Sequence, residues 1–415
     1  MSRSRPLRVL VTGAEETAGL SVIRGLGHAG ATVIACGSEP HAIGFASRYA
    51  AVRRTYTSPL VDRARAEDEL VTLIARHTPD VVIPVVESTL VALNQVRAEV
   101  APLATLAAPP ADTLEYALDK SKTLRLGERL EVPVPSSIEG SSVAQILHQA
   151  ADMRFPVAVK PRGPRLHPST AHRLGFTVSY ARSLKELAAL LEPIRDHVGA
   201  ILVQEFVPGI GRCVAAVCQD GQPVAMFAYS RVRELPHTGG VSVLRRSEPL
   251  DDRLQTWTAA LLGAIRWHGI AMVEFRYDRR ADRFTLMEIN GRFQSSVALS
   301  LDAGLNLPYA VACLFAGEPL PSLPPYKPGV TERWIRGDVL ALRGAIATRQ
   351  SVRSDAPPSG AQHRTAVAHL VRDFFADFRP GVHLDEFKWW DPKPGVVEGW
   401  RILKTLAAWG ADSVR

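Results

Sequence analysis

Residues 271–293 read AMVEFRYDRRADRFTLMEINGRF, and this stretch decides how the rest of the chain is understood. Its flanks alternate at the period of a strand, and the polar run 278–283 between them has the composition of a reversing loop. A β-hairpin is expected. With Asp278 facing Phe284, the register sets Met272 opposite Asn290, Glu274 opposite Glu288 and Arg276 opposite Leu286. Two carboxylates then face each other, and like charges so opposed are destabilising unless a cation or a shared proton compensates. Asn290 adds a neutral oxygen on the same side. Two acids and an amide oxygen, without sulfur or imidazole, suit a hard cation that keeps its waters and shares phosphate oxygens, namely Mg²⁺. Arg292 comes next on that face, placed to stabilise charge developing on a transferred phosphoryl group. The plain alternative is a solvated hairpin edge whose acids neutralise the neighbouring arginines.

At 415 residues the chain has the length for roughly two or three domains with a large core. Its formal charge of +7 is spread along the sequence, with no arginine- or lysine-rich block carrying interleaved aromatics. That argues against nucleic acid as a partner and suits anionic small molecules. Cys36, Cys213, Cys218 and Cys313 form no pair at metal-ligand spacing, so they read as buried thiols of a reducing compartment. The start, MSRSRPLRVLVTG, is not a signal peptide, and no stretch is long and apolar enough to span a membrane. A cytoplasmic protein with no membrane partner is expected.

In chain order, residues 8–12, 32–36, 81–84 and 104–107 read as strands, separated by helices at 18–29, 66–76 and 89–100. This is a small doubly wound α/β domain, taken as 1–110. Its first turn, VTGAEETAGL, lacks the Gly-x-Gly-x-x-Gly spacing of a dinucleotide loop and the lysine of a phosphate P-loop, which disfavours a nicotinamide oxidoreductase. Glu87 lies where such a sheet presents ligand groups, as a candidate for holding an amine; equally, it is an acid in the first turn of a helix. Prolines 109 and 110 mark a boundary. Beyond it, Lys160 ends an otherwise apolar strand, an expensive place for a cation unless it meets an anion. Residues 200–207 form a strand running into Pro208-Gly209, and 213–217 with 224–229 make a hairpin through Asp220-Gly221. Arg231 and Arg233 share a face, as alternate strand residues do. Helices are expected at 251–269, 295–304, 308–317 and 340–347, with a polar linker at 349–362. The aromatic run 387–391, FKWWD, predicts packing on the body.

The segment MEINGRF resembles the metal-binding strand of the ATP-grasp superfamily, in the branch containing biotin carboxylase and the carbamoyl phosphate synthetase large subunit. Members pattern it as acid, x, Asn, x, Arg, here Glu288, Asn290 and Arg292, with a further acid on an earlier strand, here Glu274. Asp119-Lys120 is similar to the opening of the family's nucleotide domain. By that resemblance Lys120, or in its place Lys122, and Lys160 contact ATP phosphates. Gln204, Glu205, Phe206 and Val207 resemble the hinge that carries the adenine, with backbone groups of Glu205 to Val207 reading its edge. Arg231 and Arg233 fall where relatives keep basic residues for the acyl or phosphate group, with plain surface charge as the equal alternative, and His237 opens a connection expected to border the carboxylate substrate.

The resemblance implies a two-lobed ATP-grasp domain over 111–325, with lobes at 111–203 and 204–325, behind the domain at 1–110 and before a C-terminal extension at 326–415. It implies ATP and Mg²⁺ as cofactors, small carboxylate and amine substrates, acyl-phosphate chemistry and a possible homodimer. Two features depart from the family pattern. The loop GPRLHPSTAHRLGFTV has few glycines, leaving Arg162, Arg165 or Ser169 to close over ATP, and no acid follows the hinge to hold the ribose. Both departures give weight to the rival expectation of a nucleotide-binding regulatory or scaffold protein with weakened turnover.

Overall fold

The computed structural model describes residues 5–163, 178–235, 240–348 and 363–413. The first sheet is parallel, ordered β3-β2-β1-β4-β5, from β1 (Arg8–Val11), β2 (Thr32–Gly37), β3 (Ala50–Thr55), β4 (Val81–Ile83) and β5 (Thr105–Leu106). Four of these strands are the expected ones; β3 is an addition. Its sequence AAVRRT lies at a sheet edge, with only Ala50 fully covered, so it lacks the apolar run that marks a central strand. The expected helix at 89–100 is broken into Glu87–Gln95 and Arg97–Val100. Strand order reverses between β1 and β4, which opens a crevice at Gly13 and at Val85 to Glu87. The glycine turn after β1 is a packing device. A Cβ at Gly19 would stand 2.1 Å from the Gly13 carbonyl oxygen, and Glu15 spends its carboxylate on the backbone N–H and hydroxyl of Ser38.

A four-stranded antiparallel sheet follows, ordered β6-β9-β7-β8, from β6 (Ser137–Ile138), β7 (Val157–Pro161), β8 (Ser179–Ala181) and β9 (Ile201–Glu205). The helices Val143–Ala150 and Leu184–Leu191 close one face of it over Ile146, Val157, Val159, Leu187, Leu191 and Val203. The largest sheet runs β14-β13-β10-β11-β12-β15-β16, with β10 (Ile210–Gln219), β11 (Gln222–Leu235), β12 (Val241–Ser247), β13 (Gly269–Asp278), β14 (Arg283–Asn290), β15 (Thr331–Arg333) and β16 (Val382–Leu384). One face is covered by the helix Asp252–Ala264 through Leu254, Leu261 and Leu262. That helix is shorter than expected, because the chain must turn before Gly269 can begin β13. On the other face Cys213, Phe227 and Met272 join one apolar cluster with Val11, Ile23 and Leu26 of the first sheet and its helix. Burying that area against water fixes the two sheets as one body.

The expected extension is more integral than the sequence suggested. It supplies β15 and β16 to the large sheet, the helices Ile335–Thr348 and His363–Ala376, and a final helix Lys393–Ser413 that the sequence reading did not anticipate. The linker expected at 349–362 lies outside the described residues. Fully buried Arg245 joins Glu332 of β15, at 3.3 Å, to Asp385. Arg24, on the first helix, reaches Asp391 at 2.8 Å and donates to the backbone oxygens of Asp385, Glu386 and Asp391, while Ser47 and the Arg48 N–H complete the Asp391 carboxylate. Of the FKWWD aromatics, Trp390 packs against Tyr49 and Arg24 as expected. Trp389 does not, being 90% exposed. Among the described residues no helix is long and apolar enough to cross a membrane.

Removing Asp391 strands the Arg24 guanidinium in the interior, and an uncompensated buried charge typically costs about 3–5 kcal/mol. Asp391→Ala should lower stability by about that amount in chemical denaturation, with the C-terminal helix the first region to gain amide exchange. A loss below about 1 kcal/mol would mean that this pair does not hold the extension in place.

Candidate functional site

The β13–β14 hairpin forms, and its register matches the expectation where it matters: Met272 faces Asn290 and Glu274 faces Glu288. Nearer the turn the expectation fails by one residue. Asp278 faces Arg283, not Phe284, and Arg276 faces Thr285, not Leu286, because Met287 is bulged out between the two registers. The bulge lets consecutive residues Met287 and Glu288 both line one cleft, which a regular strand would forbid.

That cleft, of about 310 Å³, lies between the four-stranded and the large sheets. Its floor carries the acid pair, each acid already facing a cation: Arg231 Nη2 lies 2.5 Å from Glu274 Oε2, and Lys120 Nζ lies 3.1 Å from Glu288 Oε2. The Asn290 amide donates to Glu288 Oε1 at 2.9 Å. Arg231 reaches Glu274 by crossing β10 at Gly211, where a Cβ would come within 2.8 Å of the arginine side chain. Lys120 opens the helix Lys120–Arg129, whose N-terminus Asp119 caps by accepting from the Ser121 N–H. The same carboxylate binds Arg162, and the Lys120 N–H donates to the Arg162 carbonyl, which seats the lysine beside the end of β7.

Lys160, at the end of β7, donates to Gln204 Oε1 at 2.7 Å, and Gln204 in turn donates to Ser137. Gln204, Glu205, Phe206 and Val207 all line the cleft, with Tyr180 edge-on to Phe206. Glu87 reaches the cleft from the first sheet while also standing in the first turn of its helix.

The electrostatics follow from this crowding. Burial pushes the Glu274 carboxyl up to about 7; Arg231 opposes the shift and facing Glu288 adds to it. Burial acts on Glu288 in the same sense, but Lys120 and the Asn290 hydrogen bond hold it well below the usual carboxylate range. Lys120 is raised, chiefly by Glu288. Burial lowers Lys160 to about 8, since its near partner Gln204 is neutral. The floor thus holds one firmly ionised carboxylate and one poised to take or release a proton near neutrality.

Several predicted residues are placed elsewhere. Arg233 does not share the cleft with Arg231. The pairing of β11 with β12 slips on either side of it, and its guanidinium is bound to Asp338 and Asp377. Arg292 lies past the end of β14 and lines a separate small hollow with Met272, Phe293 and Gln294. Lys122 pairs with Glu115, and Arg162 is held by Asp119 and Glu139 rather than closing over the cleft. His237, Arg165 and Ser169 lie outside the described residues. The sequence reading missed Glu234 and Arg276, which line the cleft, and Gln294 in the smaller hollow. Arg276 was legible, being on the Glu274 face two residues along β13; Glu234 was hidden by the slip in β11.

The donor set fits Mg²⁺. Among the described residues no three His, Cys, Asp or Glu side chains converge on a metal position. A cation here would therefore be held by Glu274 and Glu288, completed by the Asn290 oxygen, water and phosphate, as Mg²⁺ characteristically is.

Residues 197–337 match the family described as ATP-grasp in the biosynthetic pathway with Ter operon. The chain is 23% identical over 282 residues to the mitochondrial arginine-specific carbamoyl phosphate synthase large chain of Schizosaccharomyces pombe, covering 66% of this chain and 23% of that one. It is 29% identical over 218 residues to the carbamoyl phosphate synthase large chain of Thermomicrobium roseum, covering 50% and 19%. It thus spans less than a quarter of the length of either relative. Among solved structures, biotin carboxylase of Campylobacter jejuni superposes with a TM-score of 0.62 at 16% identity, over 79% of this chain and 74% of that one. An L-amino acid ligase of Bacillus licheniformis superposes with a TM-score of 0.55 at 17% identity, over 76% and 75%. Residues 197–337 thus carry an ATP-grasp family match, and the chain shares the biotin carboxylase fold and is related in sequence to the carbamoyl phosphate synthase large chain.

Proposed function

We propose that this protein is an ATP-dependent ligase that joins a small carboxylate, an amino acid being one candidate, to an amine. The carboxylate attacks the γ-phosphate of ATP, the acyl phosphate is captured by the amine, and ADP and phosphate leave. The observation that carries this reading is the facing pair Glu274 and Glu288, flanked by Lys120 and Lys160 in one cleft with the hinge Gln204 to Val207. A protein that only packs its acids against arginines has no use for two further lysines and an open hinge in the same space.

In this reading the hinge backbone orients the adenine and the apolar faces of Phe206, Val207 and Ala158 bury it. Lys120 and Lys160 bind phosphate oxygens. Arg231, rather than Arg292, stands over the acid pair to stabilise charge on the transferred group. Mg²⁺ held by Glu274, Glu288 and Asn290 would neutralise and orient the phosphate oxygens. Arg292 suits the acyl side: among the described residues its Nε and the Gln294 Nε2 are buried without hydrogen-bond partners, two donors matched to a substrate carboxylate. Alternate residues of β13 join the two hollows on one face, Met272 in the smaller and Glu274 in the larger. Glu87 supplies a carboxylate for the incoming ammonium. The rival reading, a nucleotide-binding regulator with weakened turnover, draws on the fact that both acids are already paired within the chain.

Screening amino acids and small carboxylates against amines for ADP release, with product mass by mass spectrometry, separates the two. Ligase activity should appear and should fall at least about a hundredfold in Glu288→Gln while the fold is retained. ADP binding with no turnover for any pair would favour the regulator, and unchanged turnover in the variant would remove the acid pair from the mechanism.

Because Glu274 must be ionised to share a dication, Mg²⁺-dependent ADP affinity should rise with pH. A group with its pKa near 7 gives roughly a fivefold gain from pH 6 to 7 and less than about twofold from pH 7 to 8. Calorimetry with Mg²⁺ checks this, and Glu274→Gln should flatten the profile. A profile in the variant matching the wild type would assign the titration to the nucleotide instead.

A further inference from the structure

We infer that Glu234 is the ribose-binding residue of the nucleotide site, held in place by Arg231 and Arg276. The inference rests on the ATP reading above and adds what that reading leaves open: which group takes the two sugar hydroxyls.

The order of side chains along the cleft carries the argument. Arg276 Nη2 donates to the Gly209 carbonyl at 2.6 Å, so Arg276 marks the hinge end, where the base lies. Glu274, two residues back on the same face of β13, marks the phosphate end with Glu288 and Lys120. Glu234 stands between the two. Its Oε2 is 3.7 Å from Arg276 Nη1 and its Oε1 is 3.3 Å from Arg231 Nη1, and the same Arg231 reaches Glu274 through its other nitrogen. The sugar of a nucleotide must lie between base and phosphates, which is the position Glu234 occupies.

Chemistry narrows the choice further. Vicinal hydroxyls are two donors, and an ionised carboxylate is the side chain that accepts both. Of the cleft acids, Glu274 and Glu288 form the facing pair, Glu87 interacts electrostatically with Lys120, and Glu205 belongs to the hinge strand itself. Glu234 is the remaining one, 5% exposed and charge-balanced by two arginines, each of which leaves carboxylate lone pairs free. Immediately after the hinge, the face that an acid might have used is taken by Gly211, whose missing side chain is the channel for Arg231. Moving Arg231 into that channel and placing the acceptor on β11 are therefore one rearrangement.

Calorimetry with ADP, 2′-deoxyADP and 3′-deoxyADP in the presence of Mg²⁺ tests this. The wild-type chain should prefer ADP over each deoxynucleotide by about tenfold or more, the range for a hydrogen bond to a charged group. In Glu234→Gln the preference should shrink to within about threefold. Glu234→Asp, which keeps the charge between the two arginines but withdraws it by one methylene, should also narrow the preference, and it serves if the glutamine variant fails to fold. A preference that survives in either folded variant overturns the assignment. Equal wild-type binding of all three nucleotides overturns it too while leaving the ATP reading intact, whereas no binding of any of them removes the ATP reading itself.

Discussion

The structure turns on two carboxylates forced to face each other on a buried strand pair. Glu274 and Glu288 are Cα partners across β13 and β14, and no antiparallel register with Met272 opposite Asn290 avoids that encounter. Opposed like charges at low dielectric demand cations, and the surrounding architecture supplies them from elsewhere in the chain: Arg231 from β11 and Lys120 from the start of a helix before the four-stranded sheet. Each supply line has its own requirement. Arg231 needs Gly211 bare, and Lys120 needs Asp119 and Arg162 to fix the helix N-terminus against β7. The acid pair therefore organises residues more than 150 positions apart in sequence.

The same logic explains why the two ends of the chain are tied to the middle by buried ions. The apolar cluster that includes Val11, Met272 and Phe227 has no directional preference, so it holds the first and largest sheets together without fixing how they meet. Arg24 with Asp391, and Arg245 with Glu332 and Asp385, add that direction, because a buried guanidinium tolerates few geometries. The crevice carrying Glu87 is thereby held over the floor that carries Lys120.

Much of this was legible in the sequence, and the failures around the cleft share a cause. Period-two alternation located β13 and β14 and paired the acids correctly, because the hydrophobic pattern fixes register wherever one face is buried. The first α/β sheet was legible from its apolar runs, apart from β3, whose exposed edge gives it no such run. Bulges are what alternation cannot see. One extra residue at Met287 shifted every pairing toward the turn, and slips around Arg233 sent it to Asp338 while bringing Glu234 to the cleft. The C-terminal strands were invisible for another reason: three residues each, docked on an edge already formed, they need little signal of their own. The final helix buries its Glu398 side and leaves Val396, Trp400 and Leu403 outside, reversing the pattern by which a helix is usually recognised.

These irregularities lie beside the cleft, and geometry gives a reason. A regular strand offers its site every second residue, spaced at about 7 Å, which is too coarse to place an acid, its counter-ion and a neighbouring acceptor around one small cavity. At Met287 the bulge sets two consecutive residues on the cleft side; at β11 the slips put Arg231 and Glu234, three apart, on the face where strict alternation would have put Arg231 and Arg233. With Arg233 there, Arg231, Arg233 and Arg276 would crowd the cleft without the Glu234 carboxylate that now balances two of them. The slip exchanges that excess cation for a carboxylate and sends Arg233 to Asp338 and Asp377, where the helices after β15 need it. One local break in pairing thus serves charge balance in the cleft and attachment of the C-terminal segment together, which couples the integrity of that segment to the electrostatics of the site.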